Sequence, residues 1–370
     1  MMRGFVRAIY PRSRAARGGC ATDSIVAETR AADREPDNRA ARLHDSTRKR
    51  ALGVRGVCVD SRTIDLVRLP RLSPRAYRRI TLLALLAQVF ITVTGAAVRL
   101  TGSGLGCSDW PTCESDRYVA PFEYHAMIEF VNRTVTGLVS VAVILAVLGS
   151  LLRSPRRRDL TWWSLGLVGG VIGQIVLGGL TVLFELRPPF VIAHFALSMI
   201  LIWNAFVLHE RSKYAESPAL PVVPRNIRIL GRLLVVAAAI TIFTGTIVTG
   251  TGPHGGDDHA KRLSFDITIV ARIHSGTVWL FLVLTVITLF VLHRTGAPLG
   301  VDRRAKYLVA AIVLQGVIGY VQYFTSVPPG LVIIHICGSI VVWIAALSFE
   351  LSLTARPVES DASEATPAMT

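Results

Sequence analysis

The sequence predicts an all-α integral membrane protein, with eight transmembrane helices arranged as two tandem four-helix bundles related by a pseudo-twofold axis. Three observations predict this. Hydrophobic residues make up 51% of the 370 residues and mean hydropathy is +0.49, above the range of soluble domains. Runs approaching the twenty or so apolar residues that span a bilayer recur along the chain. Finally, the chain repeats itself. TGAAVRLTGSG from Thr94 and TGTIVTGTGPHGG from Thr244 share a Thr-Gly, a Val three residues after that Gly, and a further Thr-Gly, and RPPFVIAHFALSMILIW resembles VPPGLVIIHICGSIVVW. With four spans in each copy, both copies have the same orientation.

Taken in order, the spans are expected at about 80–98, 126–152, 162–183, 191–209, 229–250, 268–292, 305–324 and 332–354. Arg75, Arg78 and Arg79 precede the first, and Arg153, Arg156, Arg157 and Arg158 follow the second. Arg211, Lys213, Arg225 and Arg228 follow the fourth, and Arg294, Arg303, Arg304 and Lys306 follow the sixth. Every second loop is basic, so the net charge of +15 reads as membrane topology rather than as a nucleic-acid surface. The positive-inside rule then places both termini in the cytoplasm and the other four loops outside.

Five regions follow. Residues 1–74 read as a disordered, basic cytoplasmic extension, with a translation start further downstream as the alternative. Residues 75–210 form the N-terminal half, 211–228 a cytoplasmic linker, 229–355 the C-terminal half, and 356–370 a solvated tail.

TGSGLGCSDWPTC, from Thr101 to Cys113, falls in the first outer loop. Five cysteines are too few for a disulfide scaffold. Cys107 and Cys113 nevertheless share one short loop in an oxidising compartment, where either a bridge or two free thiols in an ordered loop is chemically permitted. Trp110 and Pro111 suit an interfacial anchor.

His194 lies just inside the outer end of helix 4, His335 holds the matching place in helix 8, and His274 sits about two turns into helix 6. Imidazole within a bilayer is costly unless it faces the bundle interior and finds a partner. One such histidine is ordinarily a hydrogen-bonded interhelical residue, but three at repeat-related places point to iron, because facing histidines are how haem is held in a bundle. The fourth place, in helix 2, is taken by Asn132, a poor iron ligand. His125, Glu129 and Asn132 share one face of that helix, with Arg133 beside it. Glu129 is a functional candidate, against the plainer reading of a Glu129–Arg133 pair capping the helix. Arg99, Arg133 and Arg272 are available for anionic groups near the outer surface.

These residues resemble the heme A synthases of bacteria and mitochondria over about residues 75–355. RLTGSGLGCSDWPTC is similar to that family's first external loop, IEFVNR to its helix 2 signature with Asn132 in place of the usual His, VTGTGPHGGD to its third external loop, and ARIHSG and IIH to its C-terminal haem ligands. The resemblance implies a multi-pass protein of the bacterial cell membrane that binds heme B as cofactor on His274 and His335, with Arg272 beside it. It implies heme O as substrate in the N-terminal half, on His194, Asn132, Arg133 and Arg99, with His125 the fallback ligand. The reaction implied is oxidation of one ring methyl of heme O to the formyl group of heme A, with Glu129 catalytic, Cys107 bridged to Cys113, and electrons supplied by the resident haem. Heme O synthase (protoheme farnesyltransferase), terminal oxidase assembly and membrane lipid are the implied partners, and oligomeric state is left open. A di-haem electron-transfer cytochrome and a parallel-repeat transporter are the alternatives.

Overall fold

The computed structural model describes residues 71–115 and 117–358. The extension expected over 1–74 and the tail expected over 356–370 fall almost entirely outside the described residues. Among those described, eight helices are long and apolar enough to cross a membrane. They are α1 (Pro74–Leu100), α2 (Tyr124–Leu152), α3 (Arg158–Leu183), α4 (Pro188–Arg211), α5 (Arg225–Thr251), α6 (Ile267–Thr295), α7 (Leu299–Phe324) and α8 (Pro329–Ser352). Each expected span is present. Most extend beyond the apolar run that announces them, because polar first and last turns continue the helix past the hydrocarbon region.

Local chemistry fixes several ends. Ser73 accepts a hydrogen bond from the Ala76 N–H and Pro74 follows at the first helical position, an arrangement that satisfies one free donor and needs none from proline. Proline also opens α4 and α8. Asp266 caps α6 by accepting from Ile269 N and Thr268 N, which hold its carboxyl below the usual carboxylate range. Gly296, in the left-handed region at φ 63°, ends α6.

The packing carries the repeat. In the N-terminal half α1 packs on α2, α2 on α3, α3 on α4 and α4 on α1, and in the C-terminal half α5 to α8 close the same ring. The halves meet through α1 against α8, α4 against α5, and α4 against α8. Exchanging each helix with its repeat mate leaves this set of contacts unchanged, as a pseudo-twofold axis between α4 and α8 requires. Trp343 of α8 is buried there and its Nε1 donates to the Met199 carbonyl of α4 at 3.0 Å. Lipid-facing positions such as Leu86, Phe90, Leu138, Phe290 and Leu314 are exposed and apolar.

The two ends of the bundle differ. At the basic end Arg157 is buried, pairs with Asp159 at 2.7 Å and donates to the carbonyls of Arg211 and Tyr214. There a two-residue strand β1 (Leu220–Pro221) pairs antiparallel with β2 (Thr354–Ala355). At the disulfide end the α3–α4 and α7–α8 connections repeat each other. Glu185 and Leu186, and Ser326 and Val327, all take positive φ, and Leu186 N and Val327 N donate to Thr181 O and Gln322 O at 2.8 Å. Such backbone is unfavourable for branched or bulky side chains, and its occurrence at the same place in both halves marks a constraint of the repeat.

Since Trp343 joins the halves at their axis, Trp343→Ala is expected to cost about 3 kcal/mol, as for other buried tryptophans. Trp343→Phe should cost roughly one third of that. Thermal denaturation in detergent checks this, and an unchanged midpoint in Trp343→Ala would contradict the interface described.

Candidate functional site

The C-terminal half brings together His274, in the second turn of α6, and His335, in the second turn of α8. Their ring centroids lie 6.5 Å apart with planes at 79°. A metal–imidazole bond is about 2.0 Å, so two rings on opposite sides of one iron need a separation of this size. The His274 side is held from α5. Thr244 donates its hydroxyl to the Thr241 carbonyl at 2.9 Å and lies 3.1 Å from His274 Nδ1. A hydroxyl so used accepts from an Nδ1–H, which leaves Nε2 bare as a ligand. His335 is held from α7: Gln315 Nε2 donates to the His335 carbonyl at 2.5 Å. A Cβ on Gly319 would come within 3.1 Å of the His335 ring, so glycine is what lets α7 approach the imidazole this closely.

The N-terminal half has the same frame. Gln174 Nε2 donates to the His194 carbonyl at 3.2 Å and to Ser198 Oγ at 2.7 Å, and a Cβ on Gly178 would lie 3.3 Å from the His194 ring. One constant sequence spacing relates Gln174 to Gln315, Gly178 to Gly319 and His194 to His335. Thr94 donates to Asn132 Oδ1 at 2.8 Å, the contact that Thr244 makes with His274 in the other half. Asn132 therefore occupies the His274 position, and the substitution is a difference between two otherwise matched sites. His194 Nδ1 and His335 Nδ1 are both buried without a hydrogen-bond partner among the described residues, a cost that a ring devoted to a bound group can sustain. No three His, Cys, Asp or Glu side chains converge among the described residues, and the one imidazole pair is His274 with His335. Paired imidazoles backed by glycine fit a haem.

Glu129 reaches from α2 into the first loop. Its Oε1 takes two hydrogen bonds from Arg133, at 2.6 Å and 3.1 Å, and its Oε2 accepts the Cys107 N–H at 2.8 Å. Arg133 in turn donates to the carbonyls of Asp109 and Thr112. Cys107 and Cys113 are bridged and buried, and Gly106 lies against the His125 carbonyl, where a Cβ would clash at 2.2 Å. The acid–base pair on α2 thus grips the loop on both sides of Trp110, whose indole rests on Gly179 of α3. The Glu129–Arg133 ion pair is present, but it anchors the loop rather than capping α2, whose first turn has no side-chain cap. His125 sits further out, 2.9 Å from Ser103.

The arginines divide. Arg99 crosses from α1 to the third loop, donating to His254 O at 2.8 Å and Thr249 O at 2.6 Å. Arg133 holds the first loop. Both therefore serve loops first. Arg272 is exposed, and being two residues from His274 it projects about 200° round the helix, so it does not join the histidine pair. Sequence reasoning missed Gln174, Gln315, Gly178 and Gly319, although their common spacing with the histidines is a signal that marks them.

Fold and site together define a class: a multi-pass helical membrane protein built from two parallel repeats, each carrying a histidine site between its helices. Residues 78–253 match the model of the COX15-CtaA family, described as cytochrome oxidase assembly protein. A heme A synthase of Bradyrhizobium diazoefficiens is 25% identical over 347 residues, covering 78% of this chain and 92% of that protein. One from Staphylococcus saprophyticus is 26% identical over 181 residues, covering 48% and 60%, and one from Bacillus pumilus is 30% identical over 135 residues, covering 36% and 44%. The matched part spans only 57–60% of the length of the staphylococcal relatives. Over residues 78–253 the chain is thus similar to the COX15-CtaA family, and over most of its length to a heme A synthase.

The bridge gives a direct check. Thiol labelling of denatured, unreduced protein should modify Cys337 and leave Cys107 and Cys113 untouched. Labelling of that last pair would contradict the loop geometry.

Proposed function

We propose that this chain is a heme A synthase, converting a ring methyl of heme O into the formyl group of heme A. The change replaces two methyl hydrogens by one oxygen, a four-electron oxidation: with water supplying the oxygen, R–CH3 and H2O give R–CHO, four protons and four electrons, the electrons passing to an external oxidant. The observation that carries the reading is the contrast between matched sites: facing His274 and His335 in one half, His194 with Asn132 in the other. A pair of imidazoles would hold a retained cofactor, taken to be heme B, whereas a single one would suit a substrate that must be released. Bound between His274 and His335, a haem would supply single-electron chemistry.

The chain's own residues do the rest. Thr244, Gln315 and Gly319 set the ring positions of His274 and His335, while Gln174 and Gly178 set that of His194. A farnesylated macrocycle is too apolar to leave the bilayer, so a site between lipid-embedded helices is where it can be processed. Glu129 lies about one turn from Asn132. With both oxygens engaged it enters as a positioning group that fixes Arg133 and the loop, and proton acceptance would require it to release one of those partners. Arg99 lies at the disulfide end and, beyond its bonds to His254 and Thr249, has donors to offer to carboxylates there, whereas Arg133 uses all five of its N–H groups on Glu129, Asp109 and Thr112. In this reading the disulfide end faces the oxidising outside and the basic end, with both termini, faces the cytoplasm. Heme O synthase supplies the substrate and terminal oxidase assembly consumes the product.

Two tests follow. His274→Ala and His335→Ala should each abolish the low-spin haem spectrum of the purified protein, whereas His194→Ala should preserve it and lose only the second haem; a wild-type spectrum in both C-terminal variants would remove the ligand assignment. Asn132→His should accept the Thr94 contact and create a second bis-imidazole site. Heme O retention should then rise by at least about ten-fold, the equivalent of 1.4 kcal/mol, and heme A yield should fall. Unaltered retention would contradict the equivalence of Asn132 with His274.

A further inference from the structure

The repeat that equates Asn132 with His274 and Gly178 with Gly319 also equates Gly137 with Trp279 and Gly179 with Tyr320, because each lies at the same distance from its reference residue. In the C-terminal half these side chains bridge the seam between α6 and α7. Trp279 Nε1 donates to the Tyr320 hydroxyl at 3.1 Å, and Ser275 Oγ lies 2.8 Å from the same oxygen. Tyr320 also stacks on Phe324. That closure is made of side chains rooted in transmembrane helices, and opening it means separating the helices.

The corresponding seam of the N-terminal half, between α2 and α3, is closed differently. A Cβ added at Gly137 meets nothing within 4 Å, and one added at Gly179 would lie 2.8 Å from the Trp110 ring. Arg133 stands in the place of Ser275 and reaches the loop carbonyls of Asp109 and Thr112. The aromatic group that covers this seam thus comes from the first loop, and it is fixed by the Cys107–Cys113 bridge, the Arg133 hydrogen bonds and the Glu129–Cys107 contact. A loop moves at far smaller cost than two packed helices. Gly179 adjoins Gly178, on which the His194 ring rests, so Trp110 and the His194 ring lie against consecutive residues of α3, on faces about 100° apart.

We propose that Trp110 is the positioning residue that closes the α2–α3 seam over an apolar, isoprenoid-bearing macrocycle held at His194, and that the seam is the lateral route between that site and the lipid. This rests on the function proposed above and adds the route and its closing side chain. Glu129 acts through Trp110 by holding the loop that carries it. The difference between the halves then has one physical basis: the site with two imidazoles is closed by its own helices, and the site with one is closed by a tethered ring.

The test uses full-length protein in nanodiscs loaded with heme O, and follows transfer of heme O to excess apomyoglobin alongside the low-spin spectrum of the C-terminal haem. Trp110→Ala should release heme O at least about ten-fold faster, as expected for loss of an aromatic contact together with its burial. Trp110→Phe should restore most of the retention. Gly137→Trp, which supplies a helix-borne closure where space is open, should slow release by a similar factor. The C-terminal spectrum should stay unchanged in all three. Opposite shifts in Trp110→Ala and Gly137→Trp cannot arise from general loosening of the fold. Glu129→Gln combined with Trp110→Ala should release no faster than the faster single variant. Equal release rates in wild type, Trp110→Ala and Gly137→Trp would overturn the proposal. A wild-type protein that takes up no heme O at all would overturn the functional reading instead.

Discussion

An imidazole placed inside a bilayer must have something to do with its nitrogens, and much of this structure follows from that constraint. His274 finds Thr244 for one nitrogen and faces His335 across 6.5 Å with the other side of the ring. The Gln315 and Gly319 contacts on α7 exist to fix where His335 can sit, and Gln174 and Gly178 do the same for His194. The four-helix ring is the smallest arrangement here that supplies both a ligand-bearing helix and a supporting helix for each imidazole. Duplicating it gives two such sites about a shared α4–α8 axis.

The divergence between the copies is concentrated in few residues. Thr94 keeps its contact but meets Asn132, so the frame of the ligand position is preserved while the ligand itself is replaced. Glycines stand where the other half has Trp279 and Tyr320, and the first loop carries an anchored disulfide and an indole. In the proposed function a retained group and an exchanging group call for this kind of difference, two imidazoles and helix-borne walls serving the first, one imidazole and a loop-borne ring the second.

Much of this was legible in the sequence. The helices announce themselves by apolar length, and their ends lie beyond the expected spans because Arg158, Asp159 and similar residues continue a helix outside the hydrocarbon without registering as apolar. The repeat was legible, and with it the matched places of the histidines, because membrane depth restricts which polar residues occur and where. The Glu129–Arg133 pair was legible as an i, i+4 neighbour relation, but its grip on Cys107, Asp109 and Thr112 was not, since loop paths carry no periodicity. Arg99 and Arg272 show the opposite limit. A charge near a membrane surface says nothing of whether it points to a ligand, to a loop carbonyl as Arg99 does, or outward as Arg272 does. The ribbon of Leu220–Pro221 with Thr354–Ala355 is too short to leave a pattern.

Assigning one half to a resident cofactor and the other to a substrate makes a chemical statement about what the protein contains. Extraction of the haems from protein purified from heme O-producing cells, with identification by chromatography, tests it most directly. Heme B together with heme O or heme A is the result expected. Heme B alone in both sites would contradict the assignment and favour an electron-transfer cytochrome, and protein without haem would contradict the site itself.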